Sequence, residues 1–137
     1  MSIAQRPRPE VDRDSAPWWA AVRRHALIVQ RCEDCGTLRF PARAICNRCR
    51  CRSYEWVPVQ GTAKVYSWIV NHQVFMRPMA DEVPFPVVLV RLDEGDDLLM
   101  YGNLVDGDAE DLRPGLPVEA VFVDVDDETT LIQWRPC

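Results

Sequence analysis

Two cysteine stretches decide the fold of this 137-residue chain: Cys32-Glu33-Asp34-Cys35-Gly36 and Cys46-Asn47-Arg48-Cys49. Two residues separate the cysteines within each stretch, and ten residues separate the two pairs. This spacing lets both thiolates of a pair face one ion while backbone N–H groups point at the sulfur atoms, so two pairs can converge on a tetrahedral metal. Gly36 supplies the positive φ that such a turn needs. The pattern therefore predicts a small ribbon held together by a metal ion.

The predicted ligands are Cys32, Cys35, Cys46 and Cys49. Zinc is the ordinary ion for four thiolates, and iron in a rubredoxin-like site is the competing interpretation. Cys51 is a second candidate for the fourth ligand. However, the four residues between Cys46 and Cys51 fit the turn less well than the two residues between Cys46 and Cys49. Four unrelated buried cysteines are the alternative without a metal, and the paired spacing disfavours it.

Composition narrows the class of protein. The chain is 47% hydrophobic and 27% charged, with a net charge of −5, which is ordinary for a soluble fold. No apolar run approaches the ~20 residues of a membrane span. The Arg- and Pro-rich residues 1–13 do not resemble a secretory signal. We therefore expect a cytoplasmic protein without membrane partners, whose reduced thiols favour metal binding over disulfides.

Charge is unevenly distributed along the chain. Residues 1–57 carry eleven arginines against six acids, whereas residues 58–137 have a net charge of −10. Five of the arginines lie near the cysteines in sequence: Arg39, Arg43, Arg48, Arg50 and Arg52. We favour the interpretation that they are solvated and compensate the negative charge of a zinc–thiolate site. The alternative is a weak phosphate-binding patch, since guanidinium groups match phosphate oxygens.

The remaining pattern predicts one helix and many short strands. Asp14 or Ser15 is expected to cap a helix that has Pro17 near its start and ends near His25. The predicted strands are residues 27–31, 37–40, 64–71, 85–93, 98–104, 118–124 and 130–134. Short strands divided by Gly, Pro and Asp turns favour a small barrel over a βαβ sheet. We divide the chain into an arm and helix (1–26), a ribbon (27–57) and a barrel (58–137).

Catalytic groups are scarce in the sequence. The chain has two histidines and none of the common hydrolase, metalloprotease or nucleotide-binding motifs. His72 is the only candidate general base, and a structural or surface histidine is the favoured interpretation of it. We predict no catalytic residues, because a closed metal site without a nucleophile–base pair is typical of a binding module.

Two apolar segments are candidate partner surfaces. Residues 72–83 form a long connection for a small barrel, yet they contain Val74, Phe75, Met76 and Met79. Trp18 and Trp19 point about 100° apart on a helix. We therefore expect at least one tryptophan to be exposed and to contact a partner together with the long connection. The alternative is that both segments pack on the barrel and stabilise only this fold.

Several separate stretches of the chain together resemble one protein family. They are Leu27-Ile28-Val29-Gln30-Arg31 before the first cysteine pair, Phe40-Pro41 with Arg43, residues 61–68 (Gly-Thr-Ala-Lys-Val-Tyr-Ser-Trp), residues 84–95, and residues 112–118. This sequence is similar to small proteins in which a rubredoxin-like zinc ribbon is joined to an OB-fold, a group long known only as a domain of unknown function. The resemblance implies a mainly β protein with an N-terminal helix, a zinc ribbon and a five-stranded OB-fold barrel.

The resemblance also implies a function. Members of that family accompany thiolase-like enzymes that act on acyl-CoA, including a steroid side-chain aldolase, and some are joined to or paired with hydratase-like domains. We therefore expect a non-catalytic accessory subunit of a thiolase-like acyl-CoA enzyme, with structural Zn²⁺ and with a CoA thioester in the complex. Two alternatives are a nucleic-acid-binding OB-fold, which the acidic half disfavours, and a rubredoxin-like redox protein, which leaves the barrel unexplained.

Overall fold

The computed structural model describes residues 6–137, which begin with an arm, one helix and a three-stranded ribbon. Helix α1 spans Ala16–Arg23. Strands β1 (Ile28–Cys32), β2 (Leu38–Arg39) and β3 (Tyr54–Pro58) form an antiparallel sheet in the order β2-β1-β3. The cysteine pairs lie at one end of this ribbon, because the first pair begins at the last residue of β1 and the second pair precedes β3.

The second half of the chain forms a five-stranded antiparallel sheet. Its strands are β4 (Thr62–Asn71), β5 (Phe85–Leu92), β6 (Leu99–Asn103), β7 (Pro117–Asp124) and β8 (Thr130–Pro136). They are paired in the order β6-β5-β4-β7-β8. The outer strands approach each other through a parallel bridge between Leu104 and Trp134, where the Val105 N–H donates to the Trp134 carbonyl over 2.8 Å. The sheet is therefore curved almost into a barrel and joined at a single bridge.

One hydrophobic core serves both halves. Val22 of α1 and Val29 of β1 are fully buried in the same cluster as Val90 and Trp134 of the barrel. Burial of such side chains stabilises a fold by about 1.5–3 kcal/mol each. The ribbon thus packs on the barrel through its base, while the cysteine turns lie at its far end.

The structure confirms the predicted fold class and corrects several element boundaries. Helix α1 ends at Arg23 rather than near His25, because His25 has a φ of +58° and turns the chain out of the helix. Ser15 precedes the helix but makes no side-chain cap; its Oγ accepts a bond from the Asp12 N–H instead. Strand β3 was not predicted, and it completes the ribbon by pairing along the whole of β1.

Two further features concern the helix content and the arm before α1. No helix in residues 6–137 is long and apolar enough to cross a membrane. The arm before α1 lies across the barrel: Arg6 donates to Asn103 of β6 over 2.9 Å and forms an ion pair with Glu82 over 2.6 Å. Arg8 forms an ion pair with Asp126 in the turn between β7 and β8. The arm is therefore attached to both edges of the barrel sheet.

Candidate metal centre and partner surface

The four predicted ligands come together at the far end of the ribbon. The sulfur atoms of Cys32, Cys35, Cys46 and Cys49 all lie within 4.8 Å of one another. The Cys32 and Cys49 sulfur atoms are 3.5 Å apart, and those of Cys35 and Cys46 are 3.7 Å apart. Sulfur atoms around one zinc ion at about 2.3 Å are separated by just under 4 Å, so the cluster has the size of a tetrahedral site. Cys32 and Cys46 are buried, as the ligands of a closed structural site usually are.

The two cysteine turns are built alike. The Gly36 N–H donates to the Cys32 carbonyl, and the Arg50 N–H donates to the Cys46 carbonyl, each over 3.0 Å. Each turn ends with a residue in the left-handed backbone conformation, with a φ of +73° at Gly36 and +65° at Arg50. The sequence reveals the left-handed position in the first turn through its glycine but conceals it in the second, where an arginine takes the same conformation.

Backbone groups prepare these sulfur atoms for a cation. The N–H groups of Cys49 and Arg48 are the main reason that the pKa of the Cys46 thiol falls to about 6. At Cys49 the largest influence, the Cys51 N–H, also acts to lower the pKa, but burial and the thiols of three neighbouring cysteines together raise it to about 12. Four thiols this close cannot all ionise without a compensating charge. A divalent cation supplies that charge, so the donor set fits Zn²⁺ held by four thiolates.

Cys51 lies outside the sulfur cluster. Its Sγ accepts a hydrogen bond from the Ser53 N–H over 3.3 Å, and its carbonyl accepts one from the Cys46 N–H over 2.9 Å. Thr37 occupies the same place in the first turn, since its carbonyl accepts the Cys32 N–H over 3.0 Å. Cys51 thus shapes the turn that presents the other cysteines. Cys137 is exposed at the end of the chain.

The arginines near the metal centre divide into two groups. Arg43, Arg48, Arg50 and Arg52 are exposed. Arg39 is only 3% exposed, which corrects the expectation of a solvated or phosphate-binding side chain. Its Nε donates to the Gln30 amide oxygen over 2.9 Å, and its guanidinium lies 5.0 Å from the centre of the Tyr54 ring. Arg39 therefore belongs to the interior of the ribbon.

The two tryptophans of α1 do not have equal access to solvent. Trp18 is buried, with its ring centre 4.7 Å from that of Trp19 and 5.4 Å from that of Phe40. The prediction of Trp18 as a partner-contacting side chain is corrected, because Trp19 and Phe40 cover it. Trp19 is half-buried and lines a shallow apolar groove with Phe40, Tyr101 and Leu131. Of the pair, Trp19 is the residue that a partner could reach.

The long connection between β4 and β5 presents apolar side chains to solvent. Val74 is 45%, Phe75 72% and Met76 39% exposed, and Met79 lies in the short 3₁₀ turn Arg77–Met79. Between this connection and the ends of the two strands is an apolar groove of about 330 Å³. The structure thus brings Phe75, Met76 and Met79 together around this groove, whereas Val74 is exposed on the same connection without lining it. His72 is exposed at the start of the same connection.

Sequence reasoning missed the apolar outer face of β4, β5 and β6. Ile69 is 63% and Tyr101 70% exposed on that face, and Val87 and Leu89 lie between them. A groove of about 240 Å³ runs along these side chains. The sequence pattern that could have revealed this face is that both the outward-facing and the inward-facing residues of these strands are apolar. Such a pattern is typical of strands that are buried on both faces.

Comparisons with known proteins match this geometry. The family described as the rubredoxin-like zinc ribbon domain of ChsH2 matches residues 19–55, and the C-terminal OB-fold domain of ChsH2 matches residues 56–123. A solved structure of the Ltp2-ChsH2(DUF35) aldolase contains a chain that superposes with a TM-score of 0.84 at 37% identity. The match covers 94% of this chain and 98% of that one.

Curated relatives fall into two kinds. A probable enoyl-CoA hydratase alpha subunit of Thermomonospora curvata is 40% identical over 97% of this chain, which spans 40% of that relative's length. A DUF35 domain-containing scaffold protein of Methanocaldococcus jannaschii is 37% identical over 77% of this chain and 73% of its own. The fold, the cysteine cluster and these similarities agree. The chain belongs to the DUF35 family, in which a rubredoxin-like zinc ribbon is joined to an OB-fold.

Proposed function

We propose that this chain is a non-catalytic accessory subunit that binds and supports a thiolase-like acyl-CoA enzyme in the cytoplasm. The observation that carries the proposal is the superposition on 98% of one chain of the Ltp2-ChsH2(DUF35) aldolase at 37% identity. The scaffold-protein description of a relative that this chain covers to 73% supports the same role. A hydratase-like domain is a further proposed partner, since the chain matches part of an enoyl-CoA hydratase alpha subunit.

The metal centre in this proposal is structural. Zn²⁺ would be held by Cys32, Cys35, Cys46 and Cys49. These four ligands would leave no coordination position on the metal open to a substrate. Its role would be to fix the end of the ribbon, because the turns that carry the cysteines bury few side chains of their own. We accordingly divide the chain into an arm and helix (1–26), a metal-stapled ribbon (27–57) and an OB-fold (58–137).

Catalysis is assigned to the partner. Among the described residues, the ring of His25 is hydrogen-bonded to the Asp124 carboxylate over 2.9 Å rather than to a nucleophile. His72 is exposed on the connection between β4 and β5. A general base needs its substrate proton within hydrogen-bond reach, and a nucleophile needs such a base beside it. The chemistry would therefore reside in the thiolase-like subunit.

Partner binding is assigned to Trp19 and to residues 74–79. The apolar side chains that the sequence singled out here are exposed at Val74, Phe75 and Met76 and half-buried at Trp19 and Met79. Aromatic side chains are enriched among interface residues with large energetic effects. The exposed arginines of the ribbon (Arg43, Arg48, Arg50 and Arg52) are proposed to contribute to binding the phosphates of a CoA thioester in the complex. Arg39 is excluded from that set by its burial.

The experiment begins with affinity purification from the native source and mass spectrometry of the co-purifying proteins. The isolated chain should turn over no acyl-CoA, and the chain mixed with a co-purifying thiolase-like protein should be active. The double change Phe75→Ser/Met76→Ser should weaken that complex and leave the melting temperature nearly unchanged, because both side chains are already exposed. Val11→Ser, at a residue that is 54% exposed on the arm, is the matched control. Turnover by the isolated chain would refute the proposal.

A further inference from the structure

Strand β4 is paired unequally along its two sides. On one side it pairs with β5 from Ala63 to Asn71. On the other side only Thr62, Ala63 and Lys64 pair with β7. Val65 then exchanges backbone hydrogen bonds with the segment before β7, through the Leu116 carbonyl over 2.9 Å and the Gly115 N–H over 2.8 Å. Within residues 6–137, no backbone bond joins residues 66–71 to anything except β5.

A β-bulge marks the point where this side of β4 becomes free. Val65 pairs with Val90 and Ser67 pairs with Leu89, so Tyr66 has no partner on β5. Bulges bend a strand and increase its twist. Past the bulge, residues 67–71 of β4 pair with residues 85–89 of β5, and residues 87–89 pair with β6 on their other side. The connection 72–84 joins the ends of β4 and β5. Alternate N–H and C=O groups along an antiparallel strand face each side, so about half of those in residues 67–71 face the open edge.

Nothing in the sequence of this edge protects it from another strand. Native proteins usually blunt a free edge with charged side chains or proline. Strand β3, which also has a free edge, carries Glu55 and Pro58. Residues 66–71 read Tyr-Ser-Trp-Ile-Val-Asn and contain neither a charged residue nor a proline. The edge of β4 is therefore a good template for β-strand addition.

The side chains beside this edge indicate what could bind. Residues 65–76 and 84–90 contain no Asp, Glu, Lys or Arg in a chain that is 27% charged. Ile69 is 63% and Tyr66 49% exposed, and the Arg91 guanidinium lies 4.7 Å from the centre of the Tyr66 ring. The uncharged part of the edge is therefore residues 67–71. Apolar grooves of about 240 and 330 Å³ flank Ile69. A strand added here would place alternate side chains beside Ile69 on this apolar face, and those side chains would have to be uncharged.

We propose that an uncharged, extended segment of the partner subunit pairs with residues 66–71 of β4 and adds a strand to the barrel sheet. This inference rests on the proposed function, which supplies the partner. The surface is continuous with residues 74–79, which lie in the connection that follows β4. In this mode of recognition main-chain hydrogen bonds provide affinity, and pockets for alternate side chains provide specificity.

The test is amide hydrogen exchange of the full chain, alone and in complex with the thiolase-like protein that co-purifies with it. In the free chain, the amides of residues 66–71 that point away from β5 should exchange rapidly. In the complex they should slow by about tenfold or more, because each would donate to the added strand. Contact through side chains alone would leave those amides as exchangeable as before.

Lysine substitutions provide the second measurement. Ser67→Lys and Ile69→Lys place a charge beside the open edge, as natural free edges do. Both side chains are exposed, so the melting temperature of the free chain should change little. We expect the dissociation constant of the complex to rise by about tenfold or more in each variant. Val11→Lys is the control, and it should leave the dissociation constant unchanged.

Three results would overturn the inference. If only Trp19 and residues 74–79 become protected in the complex, the partner adds no strand to β4, and the accessory role still stands. Failure of any thiolase-like protein to bind would remove the accessory role and the inference together. Protection of residues 66–71 that rises with the concentration of the chain alone, with a dimer in sedimentation, would assign the edge to a second copy.

Discussion

A single backbone angle distinguishes the two cysteine turns. Gly36 and Arg50 have nearly the same left-handed φ, but an L-residue with a side chain pays about 1–2 kcal/mol in that conformation. Arg50→Gly should therefore raise the free energy of unfolding by about 1 kcal/mol in the metal-loaded protein, measured by denaturant titration. Gly36→Ala should lower it by a similar amount, since a Cβ at Gly36 would meet no atom within 4 Å and only the backbone conformation opposes it. A loss of bound metal in Arg50→Gly would show instead that the arginine side chain supports the site.

His25 is another left-handed residue, and its side chain stabilises the end of α1. Its N–H donates to the Val22 carbonyl over 2.8 Å, while the Ala26 N–H donates to the Ala21 carbonyl over 3.0 Å. These two bonds form a Schellman motif, in which glycine usually occupies the left-handed position. Here the imidazole stacks on Phe122, with ring centres 5.1 Å apart, and reaches Asp124. The contacts with β7 offset the strain of a non-glycine residue.

The bond between His25 and Asp124 predicts a pH dependence of stability. The hydrogen bond from His25, followed by that from Thr130, lowers the pKa of Asp124 below its ordinary value of 3.8. A carboxyl group whose pKa is depressed in the folded state stabilises the fold above its unfolded pKa, and that contribution disappears as the pH falls through the folded pKa. The melting temperature of the native chain should therefore exceed that of Asp124→Asn at pH 6, and the difference should shrink as the pH falls below 3.8 and vanish once the pH is below the folded-state pKa of Asp124.

Acid also removes the metal, but it does so in both the native chain and Asp124→Asn. The difference between their melting temperatures at each pH therefore reports the effect of Asp124. The control is Asp127→Asn, since Asp127 accepts a bond from Arg23 through its backbone carbonyl rather than its carboxylate. That variant should follow the native chain at every pH. A gap between native and Asp124→Asn protein that stays the same size as the pH falls from 6 to well below 3.8 would contradict the assignment.

At the scale of the elements, the closure of the barrel depends on a close approach between β6 and β8. A Cβ placed on Gly102 would lie 2.6 Å from Cδ1 of the fully buried Trp134 and 3.0 Å from the Ile132 carbonyl oxygen. The indole cannot move freely in a packed core, so Gly102→Ala should lower the free energy of unfolding by about 1–3 kcal/mol in urea titration. Gly95→Ala, whose Cβ would meet only the Leu98 side chain, at 3.3 Å from Cδ1 and 3.4 Å from Cγ, should stay within about 0.5 kcal/mol. Equal effects of the two changes would show that Gly102 is not needed for closure.

The elements also show what a sequence can and cannot reveal. Residues 85–92 were predictable because apolar side chains run through a strand bounded by proline and Gly-Asp turns. The burial of Trp18 was not predictable from α1 alone, since it depends on contact with Phe40, which directly follows β2. The open edge of β4 depends on where β7 stops pairing, which no local pattern records. Local periodicity predicts the elements, whereas contacts between distant elements decide which of their residues remain accessible.

At the scale of the whole molecule, the metal centre and the core lie at opposite ends of the ribbon. Leu27 and Val29 belong to the core that the ribbon shares with the barrel. Between residues 33 and 53, by contrast, only Arg39 and Cys46 are buried, and Leu38 and Phe40 pack against that core while only partly buried. The free energy of metal binding therefore stabilises the distal ribbon, and hydrophobic burial stabilises the barrel. Removal of the metal should release residues 33–53 and leave the barrel folded.

Elemental analysis and hydrogen exchange together test this division. The native chain should bind about one zinc ion per chain, since four thiolates complete one tetrahedral site. Cys49→Ser should bind far less, because it removes one thiolate from the cluster, while Cys51→Ser should keep the metal, because Cys51 lies outside it. Chelation and Cys49→Ser should both speed amide exchange in residues 33–53 and leave strands β5 and β8 protected. Loss of metal in Cys51→Ser with retention in Cys49→Ser would reassign the fourth ligand. Loss of protection throughout the barrel on chelation would show that the ribbon and the barrel unfold as one unit.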